Sequence, residues 1–300
     1  MRLCQFLLFS GCCLSLSSSS AAPLAPPSEK PTASTRTERG AAKDYDEHIR
    51  QLQRRLADEE LHYVVEAPFV VVGNGSEAEV RRWATGTIRW AVDRLKASYF
   101  EREPTRILTI WLLKDKASYE RLNQKLFGKK PGTPFGYYSS HDDALVMNIS
   151  TGGGTLVHEI VHPFVEANFR DCPAWFNEGL GSLYEQCGDR EGKITGYTNW
   201  RLAGLQRAIR ADAVPTFRTL CATSNAEFYH ADPGTNYAQA RYLCYYLQER
   251  GLLRAFYRRF HQNHRRDPSG YASLVAVLGN PDMEEFESDW RKFVLKLKFP

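Results

Sequence analysis

The hydrophobic pattern first divides the middle of the chain into strands and helices. The apolar run over residues 61–72 is strand-like, and the turn signal Gly73-Asn74-Gly75 follows it. Residues 76–99 repeat apolar side chains at helical spacing and predict one long helix. The next elements predicted are a buried strand over 107–113, a short helix over 116–127 and one or two strands over 135–149.

The pattern changes toward both ends of the chain. Residues 26–58 are expected to be a Pro/Ser/Thr-rich tether followed by a charged helix with one thin apolar seam. After residue 185 the spacing is mostly helical, with helices predicted over 198–210 and 236–250. Residues 59–300 are long enough for a single α+β domain with a substantial core.

The first 25 residues are typical of an export signal. One positive charge at Arg2 precedes an apolar run over residues 3–16 and then Ser-, Ala- and Pro-rich sequence. That run is too short for a transmembrane helix, and no later stretch approaches the required length. We therefore expect a secreted or cell-envelope (periplasmic) protein. Lipid anchoring at Cys12 is an alternative, because Phe9-Ser10-Gly11-Cys12 loosely resembles a lipoprotein cleavage box.

Charge adds little to this picture. The formal net charge is +4, which does not indicate a nucleic-acid partner. A cluster of arginines over residues 254–266 fits the solvated basic face of a helix better than an anion-binding surface.

Four cysteines follow the predicted signal, an even number that suggests two disulfides in an exported protein. Cys172 and Cys187 flank a predicted helix and would lie too far apart to pair with each other. The remaining arrangements are 172–221 with 187–244, or 172–244 with 187–221.

The motif with the clearest chemistry is His158-Glu159-Ile160-Val161-His162. Residues four apart share one face of a helix, so the two imidazoles can bind one metal ion. Glu159 lies where its carboxylate can take a proton from a metal-activated water. The glycines at 152–154 allow a sharp entry into this helix.

A catalytic zinc site needs a third protein ligand, and Glu178 is the first candidate. It lies in a second helix that Pro173 opens, within the segment WFNEGLGSLYE. Glu166 is a rival on the first helix, but Pro163 should kink or end that helix beforehand. Glu185 is expected to orient one of the histidines rather than to bind the metal.

With HEIVH and WFNEGLGSLYE, the chain resembles the gluzincin metallopeptidases, and especially the peptidase MA-like proteins of bacterial envelopes. The resemblance implies a zincin-like fold, in which a small mixed sheet forms an upper lobe with the HExxH helix and the lower lobe is mostly helical. It also implies Zn²⁺ held by His158, His162 and Glu178. An oxyanion-stabilising side chain is expected from later in the chain, with Tyr237 the first candidate and His230 the second.

The expected function is therefore hydrolysis of peptide bonds in a peptide or protein substrate. Aminopeptidases of this kind have Gly-x-Met-Glu-Asn near the cleft, whereas this chain lacks the Glu between Met147 and Asn148, which favours an endopeptidase. The strand over 144–148 is expected to border the cleft, either with an edge free to pair with substrate or as an ordinary internal strand. The alternative function is a non-catalytic peptide- or envelope-binding module on the same scaffold.

Overall fold

A computed structural model describes residues 34–299 of the chain. Within the described residues, those from Lys43 onward form one compact unit. The predicted export signal, the lipid-anchoring alternative at Cys12 and the first residues of the tether lie outside the described part. Within residues 34–299, none of the helices combines the length and apolarity needed to cross a bilayer.

The described residues form seven strands and thirteen α-helices. The strands are β1 His62–Glu66, β2 Phe69–Gly73, β3 Leu108–Leu113, β4 Gly136–Ser139, β5 Ala144–Asn148, β6 Cys187–Arg190 and β7 Lys193–Gly196. The helices before residue 170 are α1 Ser34–Arg55, α2 Glu77–Trp83, α3 Trp90–Ser98, α4 Lys116–Phe127 and α5 Gly154–Asn168. Those after it are α6 Ala174–Leu183, α7 Arg201–Arg210, α8 Phe217–Cys221, α9 Asn225–His230, α10 Pro233–Glu249, α11 Leu253–Asn263, α12 Tyr271–Val277 and α13 Met283–Lys296.

Strands β1–β5 form a mixed sheet in the order β1-β2-β3-β5-β4. Strands β2, β3 and β5 are parallel to one another, whereas β1 and β4 pair antiparallel with their neighbours. All residues of β2, β3 and β5 are buried, as expected for strands covered on both faces. The predicted α+β class is thus confirmed.

Helices cover both faces of this sheet. On one face, Leu52 of α1, Leu56 just after this helix and Leu122 of α4 share one apolar cluster with Trp111 of β3. The other face packs against α2, α3 and α5 in the larger core, which continues through α6 and α10 into the C-terminal helices. The HExxH segment is therefore placed between the sheet and the helical half of the protein.

The predicted strand over 61–72 is wrong as a single element. It is the hairpin β1–β2, turned at Ala67-Pro68, and Tyr63 pairs with Val72. Proline has no N–H for a sheet ladder, and this is the physical reason for the break. The predicted helix over 76–99 is confirmed as one helical run, although residues Ala84–Arg89 form a π-helical turn between α2 and α3.

Of the two outcomes expected at Pro163, a kink or an end, helix α5 does not show the end. It continues for five residues to Asn168 with Pro163 inside it. Proline removes the hydrogen bond to the carbonyl of Glu159, four residues earlier, and its ring crowds that carbonyl. Ile160, Val161, Phe164 and Val165 are all buried, and this apolar packing offsets the cost of the lost bond.

The strand over 144–148 is β5, and it lies inside the sheet, paired with both β3 and β4. The expectation of a free edge at this strand is therefore wrong, because Gly136–Ser139 forms a further strand outside it. The edge strand on this side of the sheet is β4.

The disulfide prediction does not match the structure. All four cysteines among the described residues are free thiols. Cys221 and Cys244 are fully buried in the apolar core, and Cys172 and Cys187 pack against it. They act there as small apolar side chains, a role that needs no pairing.

Candidate metal centre

Helix α5 presents the HExxH side chains on one buried face. His158, Glu159 and His162 are 6%, 9% and 8% exposed. The four-residue spacing brings the imidazoles together, with ring centroids 4.9 Å apart and the planes at 71°. Both rings can therefore direct a nitrogen at the same point.

Helix α6 brings the third group to these imidazoles. It begins directly after Pro173, whose extended backbone starts the helix, and it buries Glu178. Two glycines of α6 allow this helix to approach its neighbours α5 and α10 closely. A Cβ on Gly181 would lie 3.1 Å from the His158 ring, and one on Gly179 would lie 3.0 Å from the Ala240 carbonyl of α10.

The carboxylate of Glu178 lies between the two histidines. Its Oε2 is 3.1 Å from His158 Nε2 and 3.8 Å from His162 Nε2. One ligand atom from each of the three residues lies within 4.8 Å of the others. Glu159 lies beside them, with Oε2 3.7 Å from His162 Nε2.

Each member of the triad has a polar neighbour on its outer side. Asn177 Oδ1 is 3.0 Å from His162 Nδ1, and the Tyr229 hydroxyl donates a 2.7 Å hydrogen bond to Glu178 Oε1. Glu185 Oε1 is 3.3 Å from His158 Nδ1. This buried nitrogen forms no hydrogen bond within the described residues.

Glu185 is itself anchored by its neighbours. Arg201 donates two hydrogen bonds to its carboxylate, from Nε at 2.9 Å and from Nη2 at 2.7 Å. Asn199 Nδ2 donates a third at 2.9 Å. Burial would raise the pKa of Glu185, but Arg201 and His158 lower it to about 2. A fixed carboxylate thus faces the outer nitrogen of His158, as the sequence predicted.

Burial and neighbouring charges shift the pKa values of His158 and Glu178 in opposite directions. Burial would lower the pKa of His158, but Glu178 and Glu185 raise it well above its ordinary value. Burial would raise the pKa of Glu178, but the two histidines and Tyr229 lower it to about 2. Burial raises the pKa of Glu159, and a raised pKa brings a carboxylate closer to the range in which it can both accept and return a proton.

The donor set fits zinc. Two imidazoles and one carboxylate, with an open fourth position, are the ligands of many catalytic zinc sites. Tetrahedral zinc with bonds of about 2.0–2.2 Å would separate its ligand atoms by about 3.3–3.6 Å, close to the separations at Glu178. With His158 Nε2 directed at the candidate metal position, a proton on Nδ1 would face the Glu185 carboxylate, whose Oε1 is 3.3 Å away.

The remaining sequence candidates are placed differently. Tyr237 lines the same cleft as the triad, whereas His230 is exposed and does not line it, so the second oxyanion candidate is wrong. Glu166 accepts a 2.7 Å hydrogen bond from Tyr138 and lies outside the group of residues that could hold a metal ion.

Sequence reasoning missed two residues of the site, Asn177 and Tyr229. Asn177 precedes Glu178 within the quoted motif, and that position was the one available signal. Tyr229 had none, because its contact with Glu178 joins α9 to α6 through tertiary packing alone.

The triad opens into a cleft of about 1100 Å³. The residues of β4 and the segment before it line one part of the cleft, and Trp200, Arg201, Tyr229 and Tyr237 line another. Within the described sheet, β4 pairs only with β5, so its second edge has no strand partner. The cleft therefore combines buried titratable groups with a sheet edge.

Comparisons of the chain with protein-family models and with curated proteins find no match.

Proposed function

We propose that this protein is a zinc-dependent peptidase of the gluzincin kind, acting as an endopeptidase on peptide or protein substrates. The observation that carries the proposal is the convergence of His158, His162 and Glu178 within 4.8 Å, with Glu159 beside them in an open cleft. A buried cluster of this composition matches the ligand chemistry of catalytic zinc.

His158, His162 and Glu178 would hold the ion. Bound Zn²⁺ supplies Lewis acidity, which lowers the pKa of a coordinated water and polarises the substrate carbonyl. The protein's own contribution is to fix the three ligands. Glu185 and Asn177 orient the imidazoles, and Tyr229 restrains the carboxylate of Glu178.

Glu159 is the proposed general base and acid. Its carboxylate is buried beside the histidines, and the raised pKa favours return of a proton once one is taken. It would accept the proton of the attacking water and then donate it to the amine that leaves. Tyr237, which lines the cleft, is the proposed donor to the oxygen of the scissile carbonyl as that oxygen becomes negative.

The edge of β4 is the proposed binding site for the substrate backbone. An extended peptide can add to an unpaired strand edge through main-chain hydrogen bonds, whatever its side chains. Strand β4 contributes Gly136, Tyr137 and Tyr138 to the cleft. A free edge was one of two alternatives for β5, and the structure has that edge at β4 instead. The absence of a Glu between Met147 and Asn148 supports internal cleavage over aminopeptidase action.

We also propose that the protein is exported, to the outside of the cell or to its envelope, on the basis of residues 1–25.

A cleavage assay with a metal chelator and a Glu159→Gln variant tests the function. The purified protein should cleave a mixed peptide library, lose that activity in chelator and regain it with Zn²⁺. Glu159→Gln should bind zinc normally and cleave nothing, since an amide cannot accept the proton. A wild-type protein that binds zinc without cleaving any peptide would instead support the non-catalytic binding module.

A further inference from the structure

Large apolar side chains are exposed at five places among the described residues, and two of these line the cleft. The five are Val65, Phe135, Tyr197, Trp200 and Phe299. Trp200 is the most exposed of them, at 61%, and it lines the cleft together with Phe135, the metal-binding triad and Glu159. An exposed tryptophan inside a cleft is an available contact surface for an apolar ligand group.

Arg201 packs against one face of the Trp200 indole. The guanidinium of Arg201 lies over it, with Cζ 4.3 Å from the ring centroid. The same Cζ is 5.1 Å from the ring centroid of Tyr237. Arg201 cannot move freely, because Nε and Nη2 both donate to Glu185. The tryptophan ring is thus supported by an arginine that is already fixed to the metal centre.

A pre-positioned ring adds binding energy at low entropic cost. An indole has two rotatable side-chain bonds, and stacking on Arg201 restricts them before a ligand arrives. The exposed part of the ring can then bury apolar area against a partner. Tyr197, three residues earlier and 38% exposed, does not line the cleft, so the sequence around Trp200 contains a natural control.

Resting on the function proposed above, we infer that Trp200 forms a specificity subsite for an apolar, preferably aromatic, side chain of the peptide substrate. The β4 edge binds backbone and so accepts any sequence, whereas the Trp200 ring selects one side chain. The selected side chain would be the one that the extended peptide directs toward Trp200, at the start of α7.

Peptide binding by zinc-loaded Glu159→Gln protein tests the subsite without turnover. The probes are fluorescein-labelled seven-residue peptides of Gly, Ser and Ala, with a single Phe moved through each position, and anisotropy gives Kd. At one position Phe should tighten binding by about tenfold relative to Ser, the gain expected of one aromatic pair. Trp200→Ala should abolish that gain and leave zinc content unchanged, and Trp200→Phe should restore most of it.

Tyr197→Ala, introduced into the same background, is the matched control and should keep the full preference for Phe. The inference is overturned if Phe gives no gain at any position, if Trp200→Ala keeps the gain, or if Tyr197→Ala loses it equally. A different result would refute the proposed reaction alone. In that case protein with Glu159 intact would cleave none of these peptides, although binding would still show the preference that depends on Trp200.

Discussion

The Tyr229 hydroxyl donates a 2.7 Å hydrogen bond to Oε1 of Glu178, and Oε2 of the same carboxylate faces both imidazoles. One oxygen is thereby restrained by α9, and the other is presented to the metal position. Tyr237 also lines the cleft. The two tyrosines can therefore be assigned different roles: Tyr229 restrains the proposed metal ligand Glu178, and Tyr237 acts on the substrate.

Replacing each tyrosine by phenylalanine should separate these roles. Tyr229→Phe removes the restraint on Glu178, so the Kd for zinc should rise by roughly 10–100-fold. Tyr237→Phe should leave the Kd for zinc unchanged and lower kcat by about 10²-fold, the typical effect of losing one oxyanion donor. Zinc titration with a competing chelator and steady-state kinetics measure both. Unchanged zinc affinity in Tyr229→Phe would refute the role of this tyrosine.

The close approach of α6 to α5 depends on Gly181. In Gly181→Ala the new Cβ would lie 3.1 Å from the His158 ring, so the ring must shift. We expect the Kd for zinc to rise on the order of tenfold, because even a small shift of the ring moves Nε2 out of line with Glu178 and His162.

Gly204→Ala is the matched control for this substitution. Gly204 is exposed in α7, and a Cβ there meets only Arg207 Nη2, at 3.9 Å. That variant should gain about 0.5–1 kcal/mol of stability from helix propensity and bind zinc as the wild type does. Equal zinc affinity in both alanine variants would show that the α5–α6 contact does not restrict His158.

The ion pairs of Glu59 should make stability depend on pH in the acid range. Arg121 and Lys125 donate to its carboxylate at 2.9 and 2.8 Å and lower its pKa to about 2. The unfolded value is about 4.3. The stabilisation is therefore complete above pH 4.3 and is lost as the pH falls toward 2, because the unfolded chain binds the proton more tightly.

Urea denaturation of the wild type and Glu59→Gln at pH 7, 4.5 and 3 measures this effect. The variant should be less stable at pH 7, and the difference in free energy of unfolding should shrink toward pH 3. Glu60→Gln is the control, because Glu60 is exposed and forms no ion pair within the described residues. A difference between wild type and Glu59→Gln that does not vary with pH would contradict the assignment.

The parts of the site that follow from local geometry were predictable from sequence. Helix periodicity alone places His158 and His162 on one face, and the motif around Glu178 supplies the third group. The span of α4 was predicted from the sequence, and in the structure the side chain of Asp115 caps this helix by accepting from the N–H of Ser118.

The features that depend on tertiary contacts were not predictable. No spacing signal connects Tyr229 to Glu178 or makes β4, rather than β5, the edge of the sheet. The persistence of α5 through Pro163 also depends on packing, because the buried residues around the proline outweigh its local preference. The hairpin β6–β7, with positive φ at Glu191 and Gly192, was missed, because Glu-Gly is not among the Asn-Gly, Asp-Gly and Gly-Gly pairs that mark such turns.

Zinc stoichiometry in Glu178→Ala and Glu166→Ala, measured by elemental analysis after dialysis, tests the central claim most directly. The wild type and Glu166→Ala should retain one zinc per chain, since Glu166 pairs with Tyr138 outside the triad. Glu178→Ala should retain almost none, because two imidazoles alone bind zinc weakly. Full zinc content in Glu178→Ala, or its loss in Glu166→Ala, would contradict the proposed metal centre.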